Sequence, residues 1–149
     1  MNDIKKGGIV IVDFGSQYTK LIARRIRENL VFSEILSPES EINVIMKNSP
    51  AAIILSGGPK SVNDKSSPSI NEKLFQADIP ILGICYGLQL LVKEYGGKIE
   101  SEGNGEYGFA TIDIKDKNTL FLGLKEVSKV WMSHGDRALD VPRGWDLLA

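Results

Sequence analysis

A doubly wound, mostly parallel α/β sheet with helices on both faces is the fold the sequence predicts. Three observations predict it. Short apolar runs without polar alternation recur at residues 8–13, 51–55 and 79–84, the pattern of parallel strands buried on both faces. Segments of helical period separate those runs. Short loops rich in Ser, Gly and Pro join them, such as Ser56-Gly57-Gly58-Pro59, as expected where strands alternate with helices.

Gly8-Ile9-Val10-Ile11-Val12-Asp13 reads as the first strand, closed by an acid. Residues 17–28 read as a helix with Tyr18, Leu21, Ile22 and Ile26 on one face, leaving Arg24, Arg25 and Arg27 mostly solvated. Residues 30–36 form the second expected strand. Ser37-Pro38 resembles an N-cap and first helical position, with Ile42, Ile45 and Met46 as the apolar face behind it. Residues 51–55 are the third strand. Ser67-Pro68 again resembles a cap, for a helix anchored by Ile70, Leu74 and Phe75.

Ile81, Leu82 and Ile84 then read as a buried central strand. From Tyr86 the period changes, and Leu88, Leu91, Val92 and Tyr95 share one helical face until Gly96-Gly97 stops it. Beyond Gly97 shorter strands are expected at residues 98–100, 109–114 and 127–132, with turns at Gly103, Gly105 and Gly108. Residues 145–149 look like the start of a further strand, so the expectation is a single domain over 1–149 that is cut short at its C-terminal end.

Composition limits the function. The chain has 149 residues, 42% of them hydrophobic, and a formal net charge of −1. That length suffices for one domain burying about two-thirds of its unfolded surface. Near-zero charge gives no electrostatic case for nucleic acid or a membrane surface. No apolar run approaches the ~20 residues of a membrane span. The single Cys precludes an internal disulfide and suits a reducing cytoplasm.

Cys85 sits where strand becomes helix, flanked at two residues on either side by Gly83 and Gly87. A nucleophile elbow needs that spacing, because side chains at the flanking positions would collide in so sharp a turn. The apex thiol then lies at a helix N-terminus, where the dipole favours thiolate. The competing reading is a buried structural Cys. A thiolate attacking a carbonyl needs preorganised N–H donors for the oxyanion. The elbow offers the N–H of Tyr86, and Gly57-Gly58 at a neighbouring strand end is the best second source, the alternative being an ordinary Gly-Gly-Pro turn. Asp13, Gly57-Gly58 and Cys85 all fall at strand C-termini, where ligands of such sheets bind, so they are expected on one rim. A Cys nucleophile also needs a base. His134 is the only His. It is either that base, oriented by Asp136, or a residue that fixes a loop or binds substrate. Asp13-Phe14-Gly15 copies the kinase magnesium motif in letters only, since the partner kinase motifs are missing.

With those residues in hand the chain resembles a class I glutamine amidotransferase domain of flavodoxin-like architecture, over nearly its whole length. Gly83-Ile84-Cys85-Tyr86-Gly87-Leu88-Gln89 matches that family's nucleophile motif and Ser56-Gly57-Gly58-Pro59 its oxyanion motif. Asp13-Phe14-Gly15-Ser16-Gln17-Tyr18, Trp131-Met132-Ser133-His134-Gly135-Asp136 and, more loosely, Glu106-Tyr107-Gly108 are similar to the glutaminase domains of GMP synthetases. The resemblance implies that Cys85 attacks the glutamine side-chain amide while Gly58 and Tyr86 donate to the oxyanion. It implies that Gly57, Gln89, Ser133 and His134 help hold glutamine, and that Asp136 lies near the contact with a synthetase domain. It implies no cofactor in this domain. ATP and Mg²⁺ would act in the synthetase domain, absent from this chain, which aminates XMP to GMP in a cytoplasmic homodimer. The family's catalytic His and Glu come from a His-Pro-Glu segment that these 149 residues lack, so the chain alone is expected to be inactive. Two other readings stay open: a different Cys-elbow amidohydrolase, and a non-catalytic docking domain.

Overall fold

The computed structural model describes residues 6–101, 105–117 and 120–149. The expected turn at Gly103 lies outside them. The chain divides into two compact units, Met1–Leu91 and Val92–Ala149.

The first unit is built on four strands, β1 (Ile9–Val12), β2 (Ser33–Leu36), β3 (Ala52–Leu55) and β4 (Ile81–Gly83). Their order is β2-β1-β3-β4 and every pairing is parallel. The predicted fold class is therefore the observed one. In β1, Ile9 and Ile11 face one way and Val10 and Val12 the other. Ile11, Ile54 and Ala23 of helix α1 (Thr19–Glu28) form a buried cluster, with Ile9, Ile22, Ile26, Ile35 and Ile84 packed on it. The opposite alternation buries Val10, Val12, Ile53 and Leu55. Helix α3 (Tyr86–Glu94) approaches that side, because a Cβ on Gly87 would strike Leu55. Helices thus cover both faces.

Several local expectations give way to tertiary context. α1 turns Thr19 and Ala23 inward, while Tyr18 and Leu21 stay exposed. Arg24 and Arg25 bond Glu28, and Arg27 donates to the Ser33 carbonyl. Ser37-Pro38 caps no helix. It begins a turn in which Glu39 N–H meets Ser37 Oγ at 3.3 Å, and the short helix α2 (Ile42–Ile45) starts after Glu41 instead. Ser67-Pro68 likewise caps nothing, since Ser67 Oγ donates to the Ser61 carbonyl. Asn71 caps the 3₁₀ turn Glu72–Leu74 by accepting from Lys73 N–H at 3.0 Å. β4 is an end strand, so Leu82 is 39% exposed and not covered on both faces.

The second unit holds β5 (Ile99–Glu100), β6 (Glu106–Asp113), β7 (Val127–His134) and β8 (Arg137–Ala138), the last unforeseen. β6 pairs antiparallel with β7, and β5 with β8. Gly108 is no turn. It lies inside β6 at φ 112°, where only Gly is at ease. Residues 145–149 form no strand, although the Leu148 carbonyl accepts from Lys115 and Asp116. Among the described residues no helix is long and apolar enough to cross a membrane.

Candidate active site

Cys85 occupies the step from β4 to α3 with φ 49°. A non-Gly residue in the left-handed region is strained, and strain of this kind holds a nucleophile at the apex of an elbow. The flanking glycines are required by contact. A Cβ on Gly83 would lie 2.6 Å from Leu88 Cα, and one on Gly87 would overlap the Leu55 carbonyl. Main-chain bonds tie the elbow to the end of β3: Ile84 N–H donates to the Leu55 carbonyl at 2.9 Å, and Gly87 N–H to the Ser56 carbonyl at 3.0 Å.

The strand ends do meet on one rim. Phe14 N–H donates to Ser56 Oγ at 3.1 Å, joining the end of β1 to that of β3. A Cβ on Gly57 would stand 3.4 Å from Cys85 Cβ, so the glycine turn abuts the nucleophile candidate. A Cβ on Gly58 would press to 2.6 Å from the Phe14 carbonyl. No described residue accepts from the N–H of Gly58 or of Tyr86, whereas that of Gly87 is spent on Ser56. Asp13 serves the turn itself: its Oδ1 accepts from Gly15 N–H at 2.9 Å and Thr19 Oγ1 at 2.7 Å.

The Tyr86 side chain anchors the helix start. Its ring lies 5.0 Å from that of Phe14, and its hydroxyl donates to the Pro68 carbonyl at 2.5 Å. Burial pushes the Tyr86 phenol up, against a hydrogen bond with Ser67. α3 buries only part of the face its apolar residues mark: Leu91 and Val92 are buried, Tyr95 is exposed. Leu88 is 43% exposed and Gln89 only 7%. The close seating of Gly87 on Leu55 sets the rotation of the helix, and this turns Gln89 inward.

Cys85 is exposed, but its thiol is pushed up, not down. Burial strips water from the sulfur and so disfavours the thiolate. This direction is opposite to the one expected from the α3 N-terminus.

In the second unit, His134 ends β7 and pairs across the ladder with Glu106, Nε2 lying 3.3 Å from the carboxylate. The carboxylate on His134 is thus Glu106, a partner that sequence spacing did not reveal. His134 Nδ1 is buried and has no described hydrogen-bond partner. Ser133 pairs with Tyr107 in the same ladder. Asp136 falls in the turn between β7 and β8. Among the described residues no group of three or more His, Cys, Asp or Glu gathers as a metal site would require.

A parallel sheet carrying a Cys elbow against a Gly-Gly turn defines a class. The sequence profile of glutamine amidotransferase class-I matches residues 10–149, and the chain belongs to that family. More particularly, it is 47% identical to GMP synthase [glutamine-hydrolyzing] of Synechocystis over 150 residues, covering 100% of this chain and 28% of that protein. The protein of the same name from Brachyspira hyodysenteriae is 47% identical, over 99% of this chain and 28% of its own length. The chain thus spans just over a quarter of the curated relatives it matches. Among solved structures, a GMP synthase subunit from Thermoplasma acidophilum superimposes with a TM-score of 0.82 at 26% identity, covering 95% of this chain and 71% of that one. A glutamine amidotransferase from Thermotoga maritima shares the fold, with a TM-score of 0.69 at 23% identity, covering 92% of this chain and 64% of that one.

Proposed function

We propose that this chain is the glutaminase part of a glutamine-hydrolysing GMP synthase, with Cys85 as its nucleophile. One observation carries the reading: a cysteine at left-handed φ on an elbow, abutting a Gly-Gly turn, with the N–H groups of Gly58 and Tyr86 unspent. The Cys85 thiolate attacks the side-chain amide carbon of glutamine. Gly58 and Tyr86 receive the oxyanion, ammonia leaves with an added proton, and water hydrolyses the γ-glutamyl thioester to glutamate. Each oxyanion donor contributes on the order of 10²–10³ in rate. Gly57 and the inward-turned Gln89 take part in holding glutamine, and the family resemblance assigns Ser133 and His134 to glutamine binding as well. Asp136 faces the synthetase domain.

Ammonia then passes to a synthetase domain, fused or separate, that uses ATP and Mg²⁺ to aminate XMP. The complete enzyme is a cytoplasmic homodimer and engages neither nucleic acid nor membrane. No His-Pro-Glu segment is present, so the isolated chain lacks the family's general base for Cys85 and releases ammonia negligibly. The test is protection. Glutamine, but not asparagine, slows alkylation of Cys85 by iodoacetamide under this reading. Equal rates with both amides would remove its basis and favour a docking module. Steady-state ammonia release by the chain alone at rates near those of an intact amidotransferase would refute the missing base.

A further inference from the structure

The geometry points to Ser56 as the residue that sets the direction of the oxyanion donor at Gly58, an inference that rests on the proposed role of that N–H. Ser56 ends β3 and is completely buried. A buried hydroxyl must place its proton and lone pairs on partners. Its oxygen receives Phe14 N–H at 3.1 Å and lies 2.9 Å from the Gly57 carbonyl. An N–H can only donate, so the single hydroxyl proton goes to the Gly57 oxygen.

That bond has a consequence one peptide further on. The Gly57–Gly58 peptide is trans. In a planar trans unit the carbonyl and the following N–H point in opposite directions. Holding the Gly57 oxygen on Ser56 therefore aims the Gly58 N–H away from Ser56. A link between two glycines is the least restricted in any chain. Side chains cannot stiffen it here, since a Cβ on Gly58 would run into the Phe14 carbonyl. Ser56 replaces that missing stiffness. Its main chain is fixed on both sides, N–H to the Val12 carbonyl at 3.0 Å and carbonyl to Gly87 N–H at 3.0 Å. One residue thus joins the β3 turn to the start of the elbow helix, the two segments that supply the oxyanion donors. Without the hydroxyl the peptide is free to rotate and present a carbonyl oxygen to the developing anion, which repels it. Ser56 is a positioning residue: it acts through the Gly57–Gly58 peptide.

The test compares two reactions at Cys85 in the parent chain and in Ser56→Ala. Acylation by L-glutamate γ-p-nitrophenyl ester passes through an oxyanion and needs no proton on its leaving group. Alkylation by iodoacetamide forms no oxyanion. The expected result is a fall of acylation by about tenfold to a hundredfold, below the loss of a whole donor, with alkylation within twofold of the parent. Ser56→Thr keeps the hydroxyl and is expected to retain the parent ratio, so a poorly folding Ala variant leaves a decisive comparison. Crystal structures of the variants separate the layers. A Gly57–Gly58 peptide unmoved in Ser56→Ala overturns the inference, whatever the rates. A rotated peptide with unchanged acylation overturns the assignment of the oxyanion to Gly58. A Thr variant that loses the ratio with its hydroxyl still on Gly57 also overturns the inference. A parent chain that the ester does not acylate overturns the nucleophilic reading beneath both.

Discussion

Gly87→Ala sets two effects of known sign against each other. Gly87 lies within α3, where Ala is the better helix former by about 1 kcal/mol. On helix propensity alone the substitution stabilises. The added Cβ, however, would sit 2.6 Å from Leu55 C and Cβ and closer still to the Leu55 carbonyl oxygen. Ordinary contact begins near 3.4 Å and the carbonyl oxygen would stand at 2.2 Å, so α3 and β3 must part by about 1.2 Å. Leu55 is fully buried and the clash is with main chain, so no flexible side chain can swing away. Overpacking of a rigid interior costs about 1–3 kcal/mol, and this site belongs at the upper end. The net is a loss of about 2 kcal/mol, a fall in melting temperature of roughly 4–8 °C for a chain of this size. Thermal unfolding followed by circular dichroism reads it directly. A variant that melts at or above the parent temperature would show that the elbow is not packed on β3 as described.

Other substitutions probe the same rim. Tyr86→Phe removes the donor to the Pro68 carbonyl and should cost about 1–2 kcal/mol in denaturant unfolding, an unchanged midpoint counting against that bond. Thr19→Val leaves Asp13 with its Gly15 contact alone, and a loss of about 1 kcal/mol is expected, read the same way. Burial disfavours the Cys85 thiolate, so the folded thiol titrates above the unfolded one. Its contribution relative to Cys85→Ser is present below the unfolded pKa and is lost as pH rises through the folded value. The iodoacetamide rate should accordingly rise to its midpoint above the range of a free thiol, and a midpoint below that range would reverse the sign.

What the sequence made legible follows from where the constraint is local. Gly83 and Gly87 announced the elbow because their requirement is steric and lies within five residues of chain. The parallel strands were legible as unalternated apolar runs, since burial on both faces needs nothing else. The caps failed for a different reason. Ser37 and Ser67 found nearer main-chain partners, and a Ser-Pro pair satisfies a turn as readily as a helix start. The buried face of α3 was legible only at Leu91 and Val92, because periodicity counts apolar residues. The seating of Gly87 on Leu55 decided the rotation instead, leaving Leu88 out and Gln89 in. Glu106 as the partner of His134 depends on the register of β6 and β7, which no short-range signal in either strand encodes. The hydroxyl of Ser56 was invisible as well. Its two bonds reach across strand ends, and the letters Ser-Gly-Gly-Pro look the same in any turn.

The most direct measurement is a crystal structure of the chain treated with a chloromethyl ketone analogue of glutamine. The account predicts one adduct, on Cys85 Sγ, with the ketone-derived oxygen about 2.7–3.1 Å from the N–H groups of Gly58 and Tyr86. An adduct whose oxygen points away from both, or a chain alkylated elsewhere with Cys85 untouched, would contradict it.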